Sequence, residues 1–161
     1  MKKKANKPAA ATVAPGLRLA RGIRNNNPMN IRYRKNVRWQ GQIYDSMRTD
    51  REFVEFQRIE YGVRAAIRLL TTYYYKHQLH TVTDIVQRWA PAADGNDTVA
   101  YARQVRNELG SEMLVPTRRT LFLVLKAMCW VESRYVLSDF VFDIAYAQCG
   151  CIDQWPPKTN L

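Results

Sequence analysis

The sequence predicts a mainly α-helical domain that carries one small irregular or hairpin lobe. Three observations lead there. From Gly62 onward apolar residues recur at helical spacing in several separate stretches. Between Asn30 and Phe56 they recur at shorter, partly alternating spacing. A chain of 161 residues that is 47% apolar suits one core and leaves little room for a second.

The elements follow in chain order. Residues 1–20 combine Lys, Pro and Ala with almost no bulky apolar groups, the composition of a basic, flexible arm, so folding is expected to begin near Leu19. A single domain is expected over residues 21–151. In the lobe, Ile31, Tyr33, Val37, Trp39 and Ile43 form the apolar positions, and Gly41 breaks the run. After Gly62 one stripe holds Val63, Ala66, Ile67, Leu70, Tyr74 and His77. Thr81 opens a short helix with Val82, Ile85, Val86 and Trp89, and Pro91 stops it. A polar loop spans Ala92 to Asp97. The next helix runs from about Thr98 to Leu109, with Tyr101, Ala102 and Val105 in phase and Gly110 just past its end. Two more follow Thr117 and Ser138, the last with Val141, Ile144, Ala145 and Gln148 aligned. Residues 152–161, with Trp155, Pro156 and Pro157, read as a tail that ends the fold.

The charge is unevenly placed. Of 25 Lys and Arg residues, 11 lie between Lys2 and Arg38, and no acid precedes Asp45. The remaining 14 basic residues match the 14 acids, so the net charge of +11 belongs to one end. Such an end attracts polyanions of any kind, including packaged DNA, and the attraction should weaken with salt. Ala9 to Pro15 is too short and too alanine-rich for the apolar segment of a signal peptide, and no run is long enough to span a bilayer. Synthesis in the cytoplasm without a cleaved leader is the expectation. Cys129, Cys149 and Cys151 are odd in number and do not form a disulfide framework. His77 and His80 stand at no zinc-ligand spacing from Cys149-Gly-Cys151, so neither a metal nor another cofactor is expected.

Three stretches can carry chemistry. On the helix after Thr117, Leu121, Val124, Leu125 and Met128 form the apolar stripe, and the next position in phase is Glu132. A carboxyl there is desolvated and sits near the negative end of the helix dipole, and both effects raise its pKa. That suits a general acid that protonates a glycosidic oxygen. The alternative is a helix that frays early and turns Glu132 outward beside Arg134. The second stretch is Arg21 to Arg32, where Asn25, Asn26 and Asn27 precede Pro28. Their amides, with that of Asn30, can cap a turn or bind sugar hydroxyls. Trp39, just after it, offers a stacking face for a sugar or else a core residue. In the third stretch, Trp89-Ala-Pro91 leads to Asn96, and Asp97 or Thr98 can cap a helix in which Tyr101 points to a cleft or simply packs.

In ordered combination, Arg21 to Arg32, Trp39-Gln-Gly41, Phe53 to Phe56, Tyr61 to Ala65 and Trp89 to Tyr101 resemble a family of small phage virion or lysis proteins. Its pattern reads R-G-I-R-N-N-N-P-G-N-I-R, W-x-G, F-x-x-F, G-x-R-A, W-A-P and N-D-T-x-x-Y. Met29 stands where that family usually has Gly, and Gly95 where it usually has Glu. The same order is similar to flagellar-type glucosaminidases of the lysozyme superfamily. There the catalytic Glu ends a helix upstream. Here Met128 to Ser133 lies downstream and resembles the Glu-Ser signature of lytic transglycosylases, with Arg134 in place of Gly, as in a circular permutation.

The resemblance implies a lysozyme-like α+β domain that cleaves peptidoglycan glycan strands, as a lytic transglycosylase or a muramidase. It makes Glu132 the acid, Tyr101 the residue that orients or stabilises the reacting centre, and Asn27, Asn30, Trp39, Trp89 and Asn96 the cleft lining. A hydrolytic route needs a second carboxylate, for which Asp45, Asp50, Glu52 and Glu60 are candidates. Association with the virion, or delivery to the periplasm, goes with that reading. Because function does not follow from fold, two other readings stand beside it. One is a non-catalytic virion protein of lysozyme-like shape whose basic arm grips DNA or a neighbouring subunit. The other is a nucleic-acid-binding domain, for which no reading helix is recognisable.

Overall fold

The computed structural model describes residues 18–150 and Trp155. The chain is mainly helical. Its helices are α1 (Arg21–Arg24), α2 (Ile59–Tyr75), α3 (Val82–Trp89), α4 (Thr98–Leu109), α5 (Arg118–Ser133) and α6 (Asp139–Ala147), with short 3-10 turns at Asp45–Met47 and Ala92–Asp94.

Side-chain caps set most of the starts. The hydroxyls of Thr81, Thr117 and Ser138 accept from the amides of Asp84, Thr120 and Val141, and the Asp97 carboxylate accepts from Ala100. Gly110 closes α4 in the left-handed conformation that a glycine adopts without steric cost. The spacing of apolar residues predicts a start for α2 at Gly62, but the helix begins at Ile59, one turn earlier. Its first turn holds Glu60, whose charge suits a helix N-terminus.

α5 is the central element, packed along α4 and against α1 and α2, while α2 packs on α6 and α3 on α4. Leu121, Val124, Leu125 and Met128 are buried as their spacing predicts, joined by Ala127 and Cys129. The lobe between α1 and α2 holds no regular strand. Its segments meet in the single antiparallel bridges Arg32 with Phe53 and Gln42 with Phe56, reinforced by bonds from Val54 N to Ile31 O (2.9 Å) and from Ile43 N to Glu55 O (2.9 Å). Ile31, Val54 and Phe56 turn inward and join this lobe to the helical core.

Gly62 brings α2 onto the asparagine turn. A Cβ there would stand 2.1 Å from the Asn26 carbonyl oxygen, so only glycine allows the contact.

Trp155 corrects the expected end of the domain at residue 151. It is 0% exposed. Its indole Nε1 donates to Thr117 O at 2.9 Å, and its ring lies 4.9 Å from that of Tyr74. The tail residues 152–154 and 156–161, Cys151 and the arm residues 1–17 lie outside the described residues. Among the described residues no helix is long and apolar enough to cross a membrane, and no cluster of three or more His, Cys, Asp or Glu side chains could hold a metal.

Candidate active site

The Arg21 to Arg32 stretch folds as a tight structural turn whose last amide faces α5. Asn25 Nδ2 donates to Asp50 Oδ2 (2.8 Å) and Asn26 Nδ2 to Phe56 O (2.9 Å). Asn27 donates to Ile31 O and Val54 O and accepts from Ile31 N, each at 2.9 Å. Asn27 is therefore not a cleft residue as expected. It is fully buried, and its amide is committed to holding the lobe's backbone. Asn26 and Asn30 both sit in the left-handed region (φ 52° and 51°), which asparagine tolerates better than most residues. Asn30 then projects toward the end of α5.

Glu132 occupies the last turn of α5, continuing the stripe that ends in Met128. Its two carboxyl oxygens are held from opposite sides. Tyr101 Oη donates to Oε1 at 3.1 Å, and Asn30 Nδ2 donates to Oε2 at 3.1 Å while also reaching Glu132 O at 3.2 Å. Tyr101 is in the first turn of α4, so the packing of α4 on α5 delivers the phenol. Gly22 gives α1 its close seat on the same helix end. A Cβ there would stand 2.1 Å from Ser133 Oγ and 2.9 Å from Asn30 Oδ1.

Burial pushes the Glu132 carboxyl above the usual carboxylate range. Hydrogen bonds from Asn30 and Tyr101, and the charge of Arg32, offset part of that rise. Burial raises the Tyr101 phenol well above its ordinary value, and the Glu132 charge and their shared hydrogen bond add to this, so Tyr101 stays a donor. Behind the carboxyl, the buried Cys129 thiol is raised by desolvation and by Glu132, and its sulfur lies 3.0 Å from Met29 Sδ. Met29 is a fully buried core residue.

Glu132 opens into a cleft of about 350 Å³ whose walls include Asn96, Asp97, Tyr101, Gln104 and Arg134. Asn96 lines it while donating to Pro91 O (3.1 Å). Trp89 is half-buried and edge-on to Tyr73 at 6.3 Å, and it is not among the residues that line the cleft. Trp39 does not line this cleft. It packs half-buried against the core, with its backbone N–H on Gln42 Oε1 (3.1 Å).

The expected second carboxylates lie elsewhere. Asp50 is buried, but bonds from Arg21, the amides of Phe53 and Glu52, and Asn25 outweigh desolvation and hold its carboxyl far below the usual range. Glu52 pairs with Arg21, Glu60 with Arg58, and Asp45 accepts from Tyr33. Sequence reasoning missed the wall residues Asp97, Ala100, Gln104, Val131 and Arg134. Gln104 follows Tyr101 by three positions and so shares its helix face, a signal that was available. Asp97 was read only as a cap, and its Oδ1 does serve that role, accepting from Ala100 N at 2.9 Å.

A protonatable carboxyl held by two donors at the edge of a polar cleft can deliver a proton to a bound ligand. The chain is similar to a bacteriophage protein. It is 40% identical over 93 residues to Protein P5 of Pseudoalteromonas phage PM2. The match covers 56% of each chain, so the chain spans about half the length of that relative. No family model matches the sequence.

Proposed function

We propose that this chain cleaves the glycan strands of peptidoglycan in a lysozyme-like domain, with Glu132 as the general acid. The observation that carries the reading is the Glu132 carboxyl, raised by burial, held by Tyr101 and Asn30, and open to a cleft. A carboxyl that holds its proton more tightly than an ordinary carboxylate is what the departure of a glycosidic oxygen needs. Likeness to a phage protein fits a phage-type wall-cutting role, in the virion or delivered to the periplasm.

Glu132 gives its proton to the glycosidic oxygen as the bond from that oxygen to C1 breaks. The resulting carboxylate takes the proton from the sugar's C6 hydroxyl, whose oxygen bonds to C1, and 1,6-anhydromuramic acid forms. This intramolecular route is favoured over hydrolysis because none of Asp45, Asp50, Glu52 and Glu60 lines the cleft, and the other carboxylate on its wall, Asp97, has Oδ1 engaged in capping α4. Tyr101 holds Oε1 toward the bond, and Asn30 steadies Oε2.

The test compares the full chain with Glu132→Gln on purified peptidoglycan, with products resolved as anhydro or reducing ends. Cleavage by the parent alone, with anhydro ends, is expected. An inert parent, or equal cleavage by the variant, overturns the reading and leaves a non-catalytic virion protein as its successor. Salt-titrated DNA binding with residues 1–20 removed would then report on that successor.

A further inference from the structure

We infer that Arg134, resting on Trp130, forms a subsite that grips a carboxylate carried by the bound glycan. This rests on the glycan-cleaving reading above and adds the residue that reads the substrate's charge.

The first observation is where Arg134 sits. It caps α5 in the left-handed conformation, φ 51°. The two other left-handed helix caps among the described residues, Gly95 and Gly110, are glycines. A side chain there costs on the order of 1 kcal/mol of steric strain. What the strain maintains is a guanidinium on the cleft wall, two residues from Glu132.

The second is what Arg134 lacks. Among the described residues no acidic side chain lies within ion-pair distance of it. Among the described residues its guanidinium makes one hydrogen bond, a long one from Nη1 to Trp130 O at 3.5 Å, so most of its donor fork is unengaged. The guanidinium carbon lies 5.5 Å from the centre of the Trp130 ring, and Trp130 is 42% exposed. A planar cation backed by an aromatic face is a bidentate carboxylate receptor. Glu132 cannot serve as its counter-ion in the reactive state, because the acid must then be protonated. Asp97, the other carboxylate on the cleft wall, is not within ion-pair distance of Arg134 and has Oδ1 engaged by Ala100 N, so the guanidinium's charge is left without a protein partner among the described residues. Across the cleft, Asn96 and Gln104 offer neutral amides for hydroxyl or acetamido groups. The missing charge arrives with the ligand. Muramic acid brings it as the lactyl carboxylate, or through the peptide attached there.

The experiment measures binding by calorimetry to the full chain carrying Glu132→Gln, so that strands stay intact. The probes are glycan strands stripped of peptide, whose lactyl carboxylates are free, and the same strands converted to neutral methylamides. Stripped strands are expected to bind about tenfold more tightly than amidated ones. Adding Arg134→Gly, which relieves the left-handed strain and so should melt no lower, is expected to bring that ratio to about one. A ratio near one with Arg134 present, or a preference that survives its removal, overturns the proposal. Peptide-bearing strands, whose lactyl carboxyl is an amide, separate the sources. Binding like the amidated strands restricts the site to the lactyl carboxylate, and binding like the stripped ones shows that a peptide carboxylate is gripped as well. If the parent chain leaves peptidoglycan uncut while the ratio behaves as stated, the cleavage reading falls and the subsite stands. Glu132-dependent cleavage with an Arg134-independent ratio gives the reverse.

Discussion

Tyr101 donates its phenolic hydrogen to Oε1 of Glu132 at 3.1 Å, across 31 residues and from a different helix. The bond favours the ionised carboxyl, while burial of the same group opposes ionisation more strongly. Each partner therefore controls where the other titrates.

Tyr101→Phe keeps the packing and removes the donor. The Glu132 carboxyl should then rise further, and the alkaline limb of the pH–rate profile should move to higher pH. Stability should fall by about 1 kcal/mol in urea unfolding. A limb that stays in place, or moves down, would show that the phenol does not act on the carboxyl.

Glu132→Gln should stabilise the fold at neutral pH. The folded carboxyl lies above its ordinary 4.5, so the folded state binds the proton more tightly than the unfolded chain does. The cost of ionising Glu132 is thus fully present above the folded pKa and disappears below about pH 4.5. Denaturant midpoints of parent and variant should differ most near pH 8 and converge by pH 4. A variant that is less stable at pH 8 would contradict the strain assigned to this carboxyl.

Gly22→Ala should damage the site from behind. The added methyl would stand 2.1 Å from Ser133 Oγ, 2.7 Å from Asn27 O and 2.9 Å from Asn30 Oδ1, and one of the three is backbone. A loss of about 1–3 kcal/mol is expected despite alanine's better helix propensity. Cleavage should weaken with it, because Asn30 is displaced from Oε2. Unchanged urea unfolding would mean that α1 can shift without cost.

Trp155→Ala should cost about 3–5 kcal/mol, since it removes a fully buried ring and leaves Thr117 O without its indole donor. The thermal midpoint reports this directly. A midpoint within a degree of the parent would show that the core closes without residue 155.

Much of the helical body was legible in the sequence because its signals are local. Thr81, Thr117, Ser138 and Gly110 set helix ends with groups only a few residues away. The phase from Met128 to Glu132 was readable for the same reason. What could not be read were contacts made at long range. Asn27 looked like a sugar ligand because its type permits that role. Its partners at Ile31 and Val54 exist only once the lobe has folded. Trp155, followed by two prolines and outside any periodic stretch, carried no sign that Tyr74 and Thr117 would enclose it. Trp39 had the chemistry of a stacking platform, yet the fold turned it toward the core.

Asn30 reaches Glu132 across 102 residues of chain. No helix or hairpin forming alone can create that contact. Closing so long a loop must be compensated by the packing that brings α1 onto α5. During refolding the carboxyl should therefore acquire its shifted proton affinity late, with the completed topology and not with helix formation. Recovery of activity in such an experiment would time the docking of the lobe, while circular dichroism would time the helices.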